Sequence, residues 1–208
     1  MPYRSTEKTR QKKDAKRTAM MQAAVQIFAQ KGYQAATVRD IVKAAGVSIG
    51  TFYFYFPDKE TLFIHLYEET ADFLLKAMLQ GVRTTGDMRH KLIAGVEAYI
   101  NIGLFEPAVV QLLLVGGVGA LPALAARRSQ FRESLVRGWQ RPLDEALAAG
   151  EIVAQDTRYT AEAIVGAVDE VVLNILAAED MEIAAEASLD GLITFLLRGI
   201  GWQGELKG

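Results

Sequence analysis

Six residues in one short window have the types and spacing to engage a polyanion and to read what it carries: Thr37, Arg39, Ser48, Ile49, Gly50 and Thr51. Thr37 and Ser48 each stand where a helix begins, and a helix N-terminus brings free N–H groups to phosphate. Arg39, in the first turn after Thr37, is placed for a phosphate or for the edge of a guanine, which arginine bonds in bidentate fashion. Ile49 and the Thr51 methyl suit contact with a thymine methyl, and Gly50 lets the backbone come close. Other chemistries are poorly supplied. The chain has no cysteine and two histidines, His65 and His90. That removes disulfides and thiolate ligands, and it leaves almost no ligand set for a metal. No nucleophile elbow and no HExxH zinc motif occurs, so no catalytic residue, metal or cofactor is expected. The GGVG at residues 116–119 lacks the Lys-Ser/Thr of a phosphate loop and reads as a turn. His65 is expected to be a partly buried structural histidine and His90 an exposed one.

The elements that position these groups are short. Val38, Ile41, Val42 and Ala45 recur at helical spacing. Thr37 precedes them and Asp40 follows three residues later, the pattern of a capping box. Gly46 suits the left-handed residue at a helix end. Ser48 caps a second helix that must stop near Tyr55, because Pro57 cannot continue it. Phe52 and Phe56 then face a small core. Two helices about a tight turn make a helix-turn-helix, whose second helix reads the major groove with its N-terminal residues.

Over residues 17–62 the sequence resembles the DNA-binding domain of the TetR family of bacterial repressors. The matching features are AxxxF then KGY, Thr37-Val38 with Ile41, Ala45-Gly46-Val47-Ser48, Gly50-Thr51-Phe52-Tyr53, Tyr55-Phe56 and Lys59-Glu60 with Leu62. The resemblance implies that Arg39, Ile49 and Thr51 read sequence. It implies that Thr37, Ser48, Tyr53, Tyr55 and Lys59 hold the phosphate backbone. For Tyr53 and Tyr55, plain packing is the competing reading. The resemblance further implies an all-α fold of about nine helices, with a helix-turn-helix domain and basic arm over residues 1–57 and an effector-binding and dimerisation domain over 58–208.

Charge is distributed to match. The net charge is −2, but residues 1–60 hold 11 Lys+Arg and 5 Asp+Glu, while residues 61–208 hold 12 and 20. A basic head on an acidic body is expected where one end faces phosphate. Residues 1–13, with Arg4, Lys8, Arg10, Lys12 and Lys13, read as an arm along the duplex, gaining affinity through counterion release, or as a terminus without a role. No long uncharged apolar run and no signal-peptide pattern appears, so a cytoplasmic protein without a membrane span is expected.

Beyond the arm, helices are expected over 14–31, 38–45, 49–55, 59–80, 87–103, 107–115, 121–149, 160–178 and 182–200, with Pro142 kinking or breaking the seventh. The fourth is apolar over much of its girth and so touches two partners, bridging head and body. In the last two, Ile164, Val168, Val171, Ile175, Leu189, Leu192, Ile193 and Leu196 suit a four-helix interface in a homodimer, the alternative being burial within one chain. Two-fold symmetry would then demand a palindromic double-stranded operator. Bodies of this family hold an apolar ligand pocket, and here Leu66, Tyr99, Phe105, Leu113, Phe131, Trp139 and Val172 are its candidate lining, each with plain core as the alternative. A hydrophobic or amphipathic small-molecule effector is expected. The stretch 131–172 loosely resembles the acyl-CoA-responsive members, while an aromatic or drug-like effector remains equally open. Arg127, Arg128, Arg132, Arg137 and Arg141 are either an anion site or a solvated face with i,i+4 pairs such as Glu133–Arg137 and Arg141–Glu145. The runner-up function is a DNA-bound interaction protein of the same fold that captures a protein partner, as TetR-like nucleoid-occlusion factors do; a well-filled body would favour it.

Overall fold

A computed structural model of the protein describes residues 7–119 and 121–205. Among them the chain forms nine α-helices: α1 Glu7–Ala35, α2 Val38–Ala44, α3 Ile49–Tyr55, α4 Lys59–Val82, α5 Met88–Phe105, α6 Pro107–Val115, α7 Pro122–Ala148, α8 Thr157–Leu176 and α9 Met181–Gly199. The all-α expectation holds; the extended pairing seen among the described residues is one isolated bridge, Ile152 to Trp202.

Aspartates start four of the body helices. Asp58, Asp87, Asp156 and Asp180 each accept a hydrogen bond from a backbone N–H in the first turn of α4, α5, α8 and α9, which satisfies a donor that no helix can satisfy internally. Asp156 explains why α8 begins three residues before the expected Thr160.

Three expectations are corrected. The N-terminal arm was expected through residue 13; residues 1–6, with Arg4, lie outside the described residues, and from Glu7 onward the chain is already helical. That helix is interrupted where expected, at Gly32, whose φ of 71° is left-handed. Pro142 does not end the seventh helix, which runs through it to Ala148 with the ring buried. Gly81 does not end the fourth, which continues to Val82. A Cβ at Gly81 would lie 2.5 Å from the Ala94 carbonyl oxygen, and one at Gly95 would lie 2.6 Å from Trp139 Cη2. Gly81 lets α4 and α5 meet at backbone distance, and Gly95 makes room for the Trp139 ring of α7.

The fourth helix touches α1, α5, α6 and α7 and so joins the two ends of the molecule, as its wide apolar stripe implied. Leu62 and Phe63 are buried near its start, and Leu66, Tyr67, Leu74 and Met78 along its length. No single described helix is long and apolar enough to cross a membrane.

The expected dimer residues are mostly interior to one chain. Ile164, Val168, Ile175, Leu192, Ile193 and Leu196 are buried without a second copy, and Val171 and Leu189 are half-buried. The reason is that α8 packs on α5, α6, α7 and α9, and α9 packs on α5 and α8, which consumes the apolar stripe of each. The outward face carries instead Tyr159, Ile183 and Phe195, the last two 65% and 64% exposed.

Candidate nucleic-acid interface

The head is built on two capped helices of seven residues each. Thr37 Oγ1 accepts from the Asp40 N–H at 3.1 Å, and Asp40 Oδ2 accepts from the Thr37 N–H at 3.0 Å, closing the capping box. The other carboxylate oxygen of Asp40 accepts from Lys31 Nζ at 2.8 Å, tying the end of α1 to α2. The Lys31 ammonium and then the Thr37 donors hold the Asp40 carboxyl down at about 2. Gly46 turns the chain with φ 64°. Ser48 Oγ then accepts from the Thr51 N–H at 3.1 Å and lies 2.9 Å from Thr51 Oγ1.

That geometry sorts the faces of α3. Phe52 and Phe56, one turn apart, are fully buried with their rings 5.8 Å apart. Ile49, Gly50, Tyr53 and Phe54 are exposed and share the opposite face by their i, i+3 and i+4 spacing. A Cβ at Gly50 would meet only Ser48 Oγ, at 3.9 Å, so the helix surface there is open. Tyr53 is 54% exposed and packs its ring edge-on to Phe52, which fixes the direction of its hydroxyl. Arg39 is exposed on α2. Tyr55 is half-buried, so packing takes a share of its ring.

Lys59 is placed differently from the phosphate contact the resemblance implied. Its ammonium donates to the Tyr33 carbonyl at 2.6 Å and the Ala36 carbonyl at 2.8 Å, and it lies 4.3 Å from the centre of the Tyr33 ring. Burial there lowers its pKa. Two of its three protons therefore hold the loop that delivers Thr37 to its cap. Thr37 and Thr51 likewise spend their hydroxyls on neighbours, Asp40 and Ser48. Phe54, 66% exposed beside Tyr53, was absent from the expected contacts. Its position one turn after Gly50 was the signal for it.

Apart from Phe131, the expected pocket residues line neither of the open grooves along α4 and α7. Leu66, Tyr99, Leu113, Trp139 and Val172 are buried in packed core, and Phe105 is 84% exposed at the end of α5. Only Phe131 of that set borders a groove described below. A helix that is apolar on several faces buries most of them against neighbours, which is why periodicity alone could not separate lining from filling. Two open grooves follow the seam between α4 and α7 and share Leu75 and Ser134. One, of about 390 Å³, is lined by His65, Tyr67, Glu68, Asp72, Arg127 and Phe131 among others. The second, of about 580 Å³, has Leu75, Leu79, Val82 and Pro142 on its floor and Arg83, Lys91, Arg137 and Arg141 on its rim. His65 is exposed here, not partly buried, and its ring lies edge-on to Phe56 at 5.9 Å. His90 is exposed as expected, with Nδ1 2.7 Å from Asp87.

Four of the five α7 arginines favour the solvated-face reading, and Arg128 instead turns inward onto the Leu114 and Gly116 carbonyls. Arg137 pairs with Glu133 and Arg141 with Glu145, the two i,i+4 pairs anticipated, while Arg127 pairs with Glu68 and Arg132 with Asp169. Arg83 has no ion-pair partner among the described residues. Deeper in the body, Tyr99 Oη donates to Asp169 Oδ1 at 2.7 Å. Burial pushes both groups up, with Arg132 opposing it at Asp169.

Comparison with known proteins gives this geometry a lineage. Residues 20–66 match the family model of bacterial regulatory proteins, tetR family, and residues 89–200 match that of the tetracyclin repressor-like C-terminal domain. The fatty acid metabolism regulator protein of Bacillus subtilis is 26% identical over 186 residues, covering 87% of this chain and 93% of its own. The structure of the fatty acid degradation regulator FadR from Bacillus halodurans superposes with a TM-score of 0.74 at 26% identity, over 86% of this chain and 97% of that one. That of FadR from Bacillus subtilis in complex with stearoyl-CoA gives a TM-score of 0.76 at 23% identity, over 88% and 98%.

Proposed function

The chain belongs to the TetR family of DNA-binding transcriptional regulators, a family whose members act as dimers, and on that premise we propose that it is a repressor released from a palindromic operator by an amphipathic, acyl-bearing anion. The observation that carries the DNA reading is the face of α3. Ile49, Gly50, Tyr53 and Phe54 stand outward while Phe52 and Phe56 lock the helix from behind. In this reading Arg39, Ile49, Thr51 and Phe54 meet base edges. Ser48, Tyr53 and Tyr55 position the helix on phosphate, with Thr37 and Lys59 acting mainly through the loop and cap they hold. Two copies pair through the outward face of α8 and α9, around Ile183 and Phe195, and so set the heads on successive major grooves. The protein then acts where the DNA is, in the cytoplasm.

The effector site is the larger of the two α4–α7 grooves. Its apolar floor suits an alkyl chain, and its rim of Arg83, Lys91, Arg137 and Arg141, offset by Glu145, keeps a positive excess with Arg83 outside any ion pair among the described residues, which suits an anionic head. The full-length likeness to a fatty acid metabolism regulator supports a long-chain acyl-CoA. A groove beside α4 lets the ligand bias the helix that joins head and body, and a mostly bound to mostly free change needs about 5 kcal/mol of differential affinity.

Selection from randomised duplexes by the full-length protein tests the first part, and should return a palindrome. Tyr53→Phe should weaken all sequences alike and Phe54→Ala should change base preference at one position. A selected set without two-fold symmetry would sink the paired reading. Titration of the bound complex with acyl-CoAs of increasing chain length, with free CoA as control, tests the second. Retained DNA binding at saturating acyl-CoA would overturn it, and would favour a DNA-bound protein that captures a protein partner. The well-packed Leu66, Tyr99, Leu113, Trp139 and Val172 are the observation on that side.

A further inference from the structure

We propose that Arg128 is a positioning residue that couples the α4–α7 groove to the DNA-reading head; the inference rests on the groove being the effector site. Arg128 Nη1 donates to the Leu114 carbonyl at 2.9 Å, and Nη2 donates to the Gly116 carbonyl. These oxygens belong to the last turn of α6 and its C-cap, where carbonyls lack helical partners and a cation is favoured. No carboxylate pairs with Arg128 among the described residues, and its Nε is buried without a hydrogen-bond partner. The guanidinium is held instead by two carbonyls and by the Tyr67 ring, whose centre is 5.6 Å away. A half-buried cation with one orphan N–H and an aromatic face as counterweight responds to movement of that ring.

The Tyr67 ring is also groove wall. It lines the smaller of the two grooves with Phe131, which stands edge-on to it at 6.4 Å, and that groove runs on through the shared Leu75 and Ser134 into the one assigned to the effector. On the other side of Arg128, the turn it holds supports the head. Gly117 has φ 67°, and a Cβ there would be 3.1 Å from Phe63 Cε1, so the turn rests directly on that ring. Phe63 is edge-on to Phe28 at 5.0 Å and to Tyr33 at 5.1 Å. Tyr33 and Ala36 offer the carbonyls that Lys59 holds, immediately before the Thr37 cap. An effector that extends past Leu75 and Ser134 and displaces Tyr67 therefore takes the π-face from Arg128, frees the end of α6 and loosens the seat of the helix-turn-helix.

Spatial continuity is not coupling, so the test measures coupling. The full-length protein, Arg128→Met and the charge-retaining Arg128→Lys are compared by amide hydrogen exchange, by operator affinity, and by the effect of stearoyl-CoA on that affinity. Lys76→Met controls for loss of one exposed charge. Arg128→Met should raise exchange about tenfold both at residues 112–119 and at 28–36, with α8 and α9 unchanged. It should also lower operator affinity about tenfold without ligand, and reduce the response to stearoyl-CoA to within about twofold. Arg128→Lys should fall between, because lysine keeps the charge but lacks the planar fork whose two terminal nitrogens reach the Leu114 and Gly116 carbonyls together. Exchange confined to 112–119, or a full ligand response in Arg128→Met, would overturn the proposal. If stearoyl-CoA binds no version of the protein, the effector assignment fails separately. The spread of exchange from the α6 turn to residues 28–36 still decides whether Arg128 seats the head.

Discussion

In the head, the residues that hold the fold and those proposed to meet DNA lie on opposite faces of one short helix. Phe52 and Phe56 face in, and Ile49, Tyr53 and Phe54 face out. In the body, by contrast, an apolar residue such as Tyr99 or Trp139 is enclosed by several helices at once, and the open grooves are lined by side chains at the edges of two contacts. A function displayed on a single short helix is specified by offsets of three and four residues. A function formed in a seam depends on where two long helices cross, and between α4 and α7 a residue such as Gly138, whose added Cβ would lie 2.9 Å from Leu79 and Met78 side-chain atoms, sets that crossing while carrying no chemistry of its own.

The contrast can be broken or sharpened by experiment. Phe52→Ala should have the largest effect, about 3–5 kcal/mol of lost stability in the head. Chemical denaturation should then show an early transition that abolishes DNA binding while the body's helicity melts later; one shared transition would mean that head and body are a single cooperative unit. Tyr99→Phe does the reverse. It leaves the mostly covered Asp169 with Arg132 at 3.4 Å as its remaining hydrogen-bond partner among the described residues, and should cost about 1–3 kcal/mol. Protection from hydrogen exchange should fall in α5 and α8 and stay unchanged in α2 and α3.

Thr37→Ala removes one cap and should cost about 1 kcal/mol. Because Lys59 still holds the preceding loop, circular dichroism should show little helix lost, and operator affinity should fall more than stability does. Equal falls would show that the cap acts only on folding. The smallest effect belongs to the surface of the body. Arg158 grips Glu133 with two bonds, at 2.8 and 2.6 Å, and Arg137 adds a third. Together they hold the Glu133 carboxyl down at about 2 from its usual 4.5. A depressed carboxyl contributes stability that is present above its unfolded pKa and lost as pH falls through the folded one. Glu133→Gln should therefore be less stable than the parent at pH 7, and the two should converge between pH 4.5 and about 2. A gap that persists at the acid end would assign the effect to packing.

Much of the head was legible because its signals are local. Thr37 with Asp40, Gly46, Ser48 and Pro57 each fix one boundary, and all four fall where the structure has them. What was not legible there is the inward turn of Lys59, since the carbonyls it holds are 23 and 26 residues away in sequence. The body's helices were legible to within a few residues, yet their faces were not. The stripe of Ile164, Val168 and Ile175 reads equally as interface or as core. The choice depends on α5, α6 and α7 closing over it, a matter of tertiary contact. Phe105 shows the opposite error: the residue before Glu106 and Pro107 ends a helix, and a helix end in a bend can point anywhere.

The outward Ile183 and Phe195 have a consequence for dosage. If pairing dries these side chains, folding and assembly become one equilibrium, and the melting temperature should climb with protein concentration. A bacterium that carries only a handful of copies would then hold part of its stock as single chains that cannot grip both halves of a site. Occupancy of the promoter would rise with the square of the protein's abundance at low levels, so that modest changes in its synthesis or turnover would sharpen, by themselves, the threshold at which the controlled genes are silenced.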